Sequence, residues 1–182
     1  MYYFDNYWFL AGVILFFCTT IFFLIFFRDP ERKIADGIVA PADGKIRDIK
    51  TENGKHFISI FMEVNNVHVN RMPIEGEIIG IKHFPGKHFC AWKKESDLNE
   101  KVTVDIKTPI GEVRVVQIAG LIARRIYPYI KKGDKLNKGE RFGIIRLGSR
   151  VDVYLPEDKI KKVTVNLKDP VLAGSSKIAE IK

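Results

Sequence analysis

The hydrophobic positions of this chain follow two regimes. Residues 7–27 (YWFLAGVILFFCTTIFFLIFF) form a run of 21 without a charge. As a helix such a run spans about 31 Å, enough to cross the hydrocarbon core of a bilayer. A cleaved secretory signal would need a positively charged start and a small-residue cleavage site. Here the start carries only Asp5, and the run closes on Phe26, Phe27 and Arg28. The pattern therefore predicts a retained N-terminal transmembrane anchor over 1–27. Beyond the basic hinge RDPERK the hydrophobic period drops to two. Short alternating segments predict strands over 37–40, 44–49, 56–61, 77–83, 102–108, 111–118, 141–146, 150–154 and 162–166, punctuated by the turn clusters PADG, TENGK, MPIEG, TPIG and KKGDKLNKGE. No long amphipathic helix is visible, and 120–130 has room for a short one. The second region, 28–182, is expected to be a mainly β domain, a sandwich or distorted barrel.

Charge refines this picture. The chain carries a net +8, and all 30 Lys and Arg residues lie beyond the apolar run. With Asp5 the sole charge before position 28, the domain itself carries +9. Arg28, Arg32 and Lys33 follow the run at once, so the positive-inside rule puts the domain on the cytoplasmic side of the cell membrane, drawn to anionic headgroups. No recognition-helix pattern or RNA-binding aromatic motif accompanies the basic charge, which argues against nucleic acid as a partner. Cys18 and Cys90 have no metal-ligand spacing and no partners for a disulfide framework, so no metal site is expected.

One stretch does not fit a simple strand reading. IRLGSRVDVYLP (145–156) places a Gly-Ser pair between two alternating apolar segments, where a turn would normally interrupt the sheet. A serine hydroxyl can attack the preceding peptide carbonyl only if that peptide is bent, and a glycine on the acyl side permits the bend. The attack converts amide to ester. Removal of the serine α-proton then expels the ester and leaves a dehydroalanine, which hydrolyses with loss of ammonia to an N-terminal pyruvoyl group. Such chemistry needs a base and donors for the developing oxyanion. Asp43 in PADGK and His68 and Arg71 in NNVHVNRMPIEG are the groups on offer. Each has a bland alternative: a turn-forming Asp bonded to its own backbone, a structural His, a surface Arg.

The order of the pieces favours chemistry. FFRDPER, PADGKI, HVNRMPIEGEI, FPGKH with SDLNEK, AGLIARRI and KGDKLNKGERFGIIRLGSRVDVYLP together resemble the short prokaryotic class of phosphatidylserine decarboxylase proenzymes, archaetidylserine decarboxylase-like proteins included. The resemblance covers 26–156, and its last block is the most specific. It implies self-cleavage between Gly148 and Ser149, giving a β chain of 1–148 and an α chain of 149–182. Ser149 would become a covalent pyruvoyl cofactor that forms a Schiff base with the serine amine of a membrane aminophospholipid and serves as electron sink for loss of carbon dioxide. His68 is implied as the acid/base and Asp43 as part of the base system. Arg71 stands where longer relatives have a second histidine, leaving open whether His68, His83 or His88 serves Ser149. As a cation, Arg71 is also a candidate for the lipid phosphate. The middle tripeptide usual in the family departs here to Asn99-Glu100-Lys101 and receives no catalytic role. Relatives imply a homodimer of two-chain units. Neither ester nor ether lipid tails are specified.

Two further resemblances compete. VAPADGKIRDI and IKKGDKLNKGERFGIIRLG resemble the halves of the biotinyl and lipoyl-type hammerhead fold, although neither Lys45 nor Lys138 has the flanks of a carrier lysine. A non-catalytic membrane-anchored adaptor with a lipoyl-like domain is therefore the alternative function, but the long helical hairpin of such adaptors is missing from 50–130. A pyruvoyl enzyme for a soluble amino acid is disfavoured by the anchor. A second Gly-Ser, in LAGSSK (172–177), would on cleavage release only eight residues and is expected to be a plain turn.

Overall fold

The structure is a computed structural model that describes residues 2–87, 89, 97–120, 125–146 and 149–182. Helix α1 (Tyr2–Phe26) contains the charge-free run. From Tyr7 to Phe26 it is long and apolar enough to cross a membrane, and only 6% of its most hydropathic window is buried against the protein. A helix this apolar and this bare fits a lipid surround.

The rest is mainly β-structure, and its named strands pair antiparallel. Strands β1 (Ile38–Val39), β2 (Gly44–Glu52), β3 (Lys55–Met62), β4 (Val69–Arg71), β5 (Gly76–Phe84), β6 (Lys101–Thr108) and β7 (Gly111–Ala119) precede β8 (Ile126–Pro128), β9 (Lys135–Leu136), β10 (Arg141–Ile145), β11 (Ser149–Pro156), β12 (Ile160–Val163), β13 (Pro170–Val171) and β14 (Lys177–Ile181). Eight strands form the main sheet in the order β13-β2-β3-β11-β7-β6-β5-β9, and two three-stranded sheets, β1-β14-β12 and β4-β10-β8, complete the domain. None closes into a barrel, so the expected β-rich domain behind one N-terminal helix is what the chain forms.

The central strand β11 explains why the Gly-Ser pair does not break the sheet. It pairs with β3 along its whole length and with β7 from Ser149 to Tyr154. Its alternation puts Ser149, Val151, Val153 and Leu155 on the core face, each with no exposed surface. Arg150 and Asp152 point the other way and are buried as an ion pair at 2.8 Å, with the Ser59 hydroxyl donating to Asp152 at 2.7 Å. The core proper gathers Ile58, Ile60 and Met62 of β3, Val113 and Val115 of β7, and Phe142 and Ile145 of β10.

Three local expectations need correction. The short helix over 120–130 is not formed in its described part, where 126–128 is strand β8, bonded to β10 through Ile126, Tyr127 and Pro128. The strand expected over 162–166 lies earlier, at Ile160–Val163, because Ile160 is the buried residue that seats it. Lys177–Ile181, unassigned in the sequence, is the middle strand of its own sheet. The turn at LAGSSK does form: Gly174 has φ +76°, a left-handed conformation suited to glycine.

Candidate active site

Residue 149 opens β11, with Met62 on one side and Ala119 on the other. Its Oγ is buried and has no hydrogen-bond partner. A buried hydroxyl left unpaired costs about 1–3 kcal/mol and is uncommon in native interiors. Among the described residues three buried side-chain atoms share this condition: Ser149 Oγ, His68 Nε2 and Gln117 Oε1. Leu147 and Gly148 lie outside the described residues, so the acyl half of the Gly-Ser pair has no geometry to report.

The three orphaned atoms belong to one connected neighbourhood. Gln117 sits two residues before Ala119 on β7, hence on the same face as Ser149. Its Nε2 donates to Asn70 Oδ1 at 2.7 Å, and Asn70 Nδ2 points to Met62 Sδ at 3.8 Å. Asn70 lies on β4 two positions after His68, so both turn to one side of that strand while Val67 and Val69 pack with Ile144 on the other. The strand leading to the Gly-Ser pair is tied here as well, since the Ile145 N–H donates to the His68 carbonyl at 3.3 Å. Asn70 and Gln117 were not singled out in the sequence. An Asn and a Gln in alternating strands read as surface positions, and only their full burial marks them.

His68 is held as a neutral imidazole. Its Nδ1 lies 2.9 Å from the Asn66 carbonyl, which can only accept, so Nδ1 carries the proton and the neutral ring leaves Nε2 as a bare acceptor. Burial pushes its pKa down to about 4, against smaller upward pulls from the Asn66 bond and Asp43 and a downward push from Arg28. The imidazole is therefore neutral throughout the physiological range. One of its faces meets the Phe26 ring at 4.3 Å between centroids.

Asp43 is not the self-bonded turn residue of the bland reading. Its Oδ1 accepts from the Ala173 N–H at 2.8 Å and its Oδ2 from Arg32 Nη2 at 2.8 Å. The turn presents it this way because Gly44 follows at φ +156°, and a Cβ there would stand 2.2 Å from the Phe61 carbonyl oxygen. Asp43 acts on His68 through its charge, with no hydrogen bond between them among those formed.

Arg71, the candidate for the lipid phosphate, is engaged within the protein. Its Nη1 donates to the Gly139 carbonyl at 3.1 Å and its Nη2 to Asp29 at 2.8 Å and the Pro30 carbonyl at 3.1 Å. The guanidinium, 4% exposed as a residue, clamps the segment that leaves the membrane helix. His83 pairs with Glu100 at 3.0 Å on the exposed side of β5, and His88 lies outside the described residues. Asn99 is buried and structural, donating to the carbonyls of Phe89 and Ala119 and so holding the end of β7 opposite Ser149.

An apolar helix leading into a β-domain, with an unpaired serine hydroxyl and an unpaired neutral imidazole in its interior, fits a membrane-associated β-rich protein. The family model described as phosphatidylserine decarboxylase matches residues 19–179. Phosphatidylserine decarboxylase proenzymes of Streptomyces griseus and Oleidesulfovibrio alaskensis are 46% and 47% identical, over 85% and 96% of this chain and 72% and 84% of theirs. A putative archaetidylserine decarboxylase proenzyme of Methanococcoides burtonii is 44% identical over 98% of this chain and 83% of its own length. The chain belongs to the phosphatidylserine decarboxylase family. Membership makes it a decarboxylase and sets the adaptor reading aside. Among solved structures, glucose permease IIA of Mycoplasma capricolum aligns with TM-score 0.44 and 16% identity over 81% of this chain and 96% of its own, a likeness too slight to bear on fold or activity.

Proposed function

We propose that the chain is a proenzyme that cuts itself between Gly148 and Ser149 and then decarboxylates the serine headgroup of a membrane phospholipid to ethanolamine. The observation that carries this reading is the buried, unpartnered Oγ of Ser149 in the same neighbourhood as the bare Nε2 of His68. In maturation, His68 takes the hydroxyl proton as Oγ adds to the Gly148 carbonyl carbon, and the C–N bond breaks as the ester forms. Loss of the Ser149 α-proton then breaks the Cβ–Oγ bond. Gly148 leaves as a carboxylate, and water releases ammonia from the new chain end.

The residues present fit the pyruvoyl group that results. β11 is held by β3 and β7 on both sides, so residue 149 keeps its place when the peptide before it is gone. The ketone, once formed, supplies an electron sink for the bond to the departing carboxylate. The protein's own groups handle the protons and the orientation. Neutral His68 accepts a proton from the incoming ammonium and returns one to the α-carbon after carbon dioxide has left, and each turnover draws one proton from water. Asp43 steadies the protonated imidazole through its charge. The buried Asn70–Gln117 amide pair offers fixed dipoles to the substrate carboxylate or ammonium.

The apolar helix and the positive flank after it support a domain that works on the cytoplasmic face, at the layer where headgroups lie. Phosphatidylserine and archaetidylserine relatives match at similar identity, so the shared chemistry is that of the headgroup. The test is a pair of variants in vesicles containing phosphatidylserine. Ser149→Ala should stay one chain and release no carbon dioxide, and His68→Ala should lose turnover. Carbon dioxide release by an uncut Ser149→Ala would overturn the reading.

A further inference from the structure

We propose that Phe26 is a positioning residue of the active site: the last turn of the membrane helix forms the wall over His68, so the element that holds the protein in the bilayer also shapes the surroundings of its base. This rests on His68 being that base. Phe26 is 2% exposed, whereas its neighbours Ile25 and Phe27 are 48% and 47% exposed. Its ring lies 4.3 Å from the His68 ring at an interplanar angle of 34° and is backed by Phe22 at 5.9 Å.

The contact is held from several directions. Arg28 closes the helix by donating to the Ile25 carbonyl at 2.6 Å and reaches across to the Asn65 carbonyl at 2.7 Å. The adjacent Asn66 carbonyl holds His68 Nδ1, so one loop grips both the helix end and the base. Farther on, Asp29 is bonded by Arg71 and Arg141, Arg32 by Asp43, and the Ala35 N–H by the Gly174 carbonyl. The anchor is a rigid mount. Phe26 ends helix α1 and Phe27 the apolar run, and the first basic residue, Arg28, follows at once. His68 therefore lies at the depth where hydrocarbon gives way to headgroups, and a lipid serine reaches it with its tails still in the bilayer.

The groups that face His68 are Phe26 from the helix, the Asn66 carbonyl from its own loop, Asp43 from the turn before β2, with Arg32 behind it, and Arg28 from the linker. Trimming Phe26 admits water while leaving all of these charges in place. The imidazole titration should then move from about 4 toward the free value of 6.5.

The experiment uses the full chain in phospholipid nanodiscs. The His68 titration is read by NMR of labelled imidazole in a Ser149→Ala background, and the pH dependence of carbon dioxide release from phosphatidylserine is read in the processed enzyme. Phe26→Leu should stay close to the parent. Phe26→Ala should raise the titration by more than one unit and carry the acid limb of the rate profile with it, up to about a tenfold loss at pH 5.5 with little change at pH 8 if the free value is reached. Phe26→Val carries the same prediction at smaller amplitude should Ala unseat the helix. An unmoved His68 titration in both Phe26→Ala and Phe26→Val overturns the proposal. A titration that moves while the rate profile stays put upholds the packing of Phe26 on His68 but removes His68 as the base.

Discussion

Replacing Arg32 by leucine should loosen the link between the segment after the membrane helix and the site. Arg32 donates to Asp43 at 2.8 Å, and the two side chains are 12% and 4% exposed. Removing the guanidinium leaves a buried carboxylate with a single donor, the Ala173 N–H. Breaking a buried pair in this way costs about 3–5 kcal/mol, and the partial exposure of Arg32 points to the lower end. For a domain of this size about 3 kcal/mol lowers the melting temperature by about 6–12 °C. Asp43→Asn alone should cost less, since the amide still accepts from Ala173 and Arg32 can turn toward water. The double variant should be more stable than Arg32→Leu alone, with a coupling energy of about 2 kcal/mol. Thermal unfolding of the four proteins in detergent, all in the uncut Ser149→Ala background, measures the cycle. Additive effects, to within about 0.5 kcal/mol, would show that the pair does not join linker to site.

Two further outcomes follow from the same geometry. His68 has a folded pKa of about 4 against 6.5 when free, so between these values the unfolded chain binds more protons and stability falls as pH falls. From pH 7 to pH 4 this one group should remove up to about 3 kcal/mol, and a His68→Gln variant should flatten that part of the urea-unfolding profile; an unchanged slope would contradict burial as the cause. Ser175→Ala should leave processing intact, because its hydroxyl only donates to the Lys33 carbonyl at 3.0 Å; an uncut chain would move the scissile bond to LAGSSK.

Periodicity was a good guide to the sheet and a poor one to the linker. The anchor is legible as an unbroken apolar run, and a strand such as β6 by its alternation, with Val102, Val104 and Ile106 buried between less buried neighbours. β4 is not legible, since Val69-Asn70-Arg71 is a short segment with two buried polar residues, and such a segment shows no hydrophobic period. The β8 segment lies where the sequence leaves room for a short helix, because short apolar runs do not distinguish helix from strand, and its pairing with β10 decides. At the site, the sequence named Asp43, His68 and Ser149 from chemistry and order. It had no means of showing that Asp43 is bonded to Arg32 and Ala173, that Arg71 serves Asp29, or that Phe26 covers His68. These contacts join residues 11, 130 and 42 positions apart. They depend on the sheet being folded, and no local pattern encodes them.

The central claim is that Ser149 turns on the bond before it. Intact-mass analysis of the purified, catalytically active protein tests it most directly. The account predicts two polypeptides, 1–148 and 149–182, the smaller beginning with a pyruvoyl group in place of serine and reacting with carbonyl reagents. An active enzyme found as one unbroken chain with an unmodified Ser149 would contradict it.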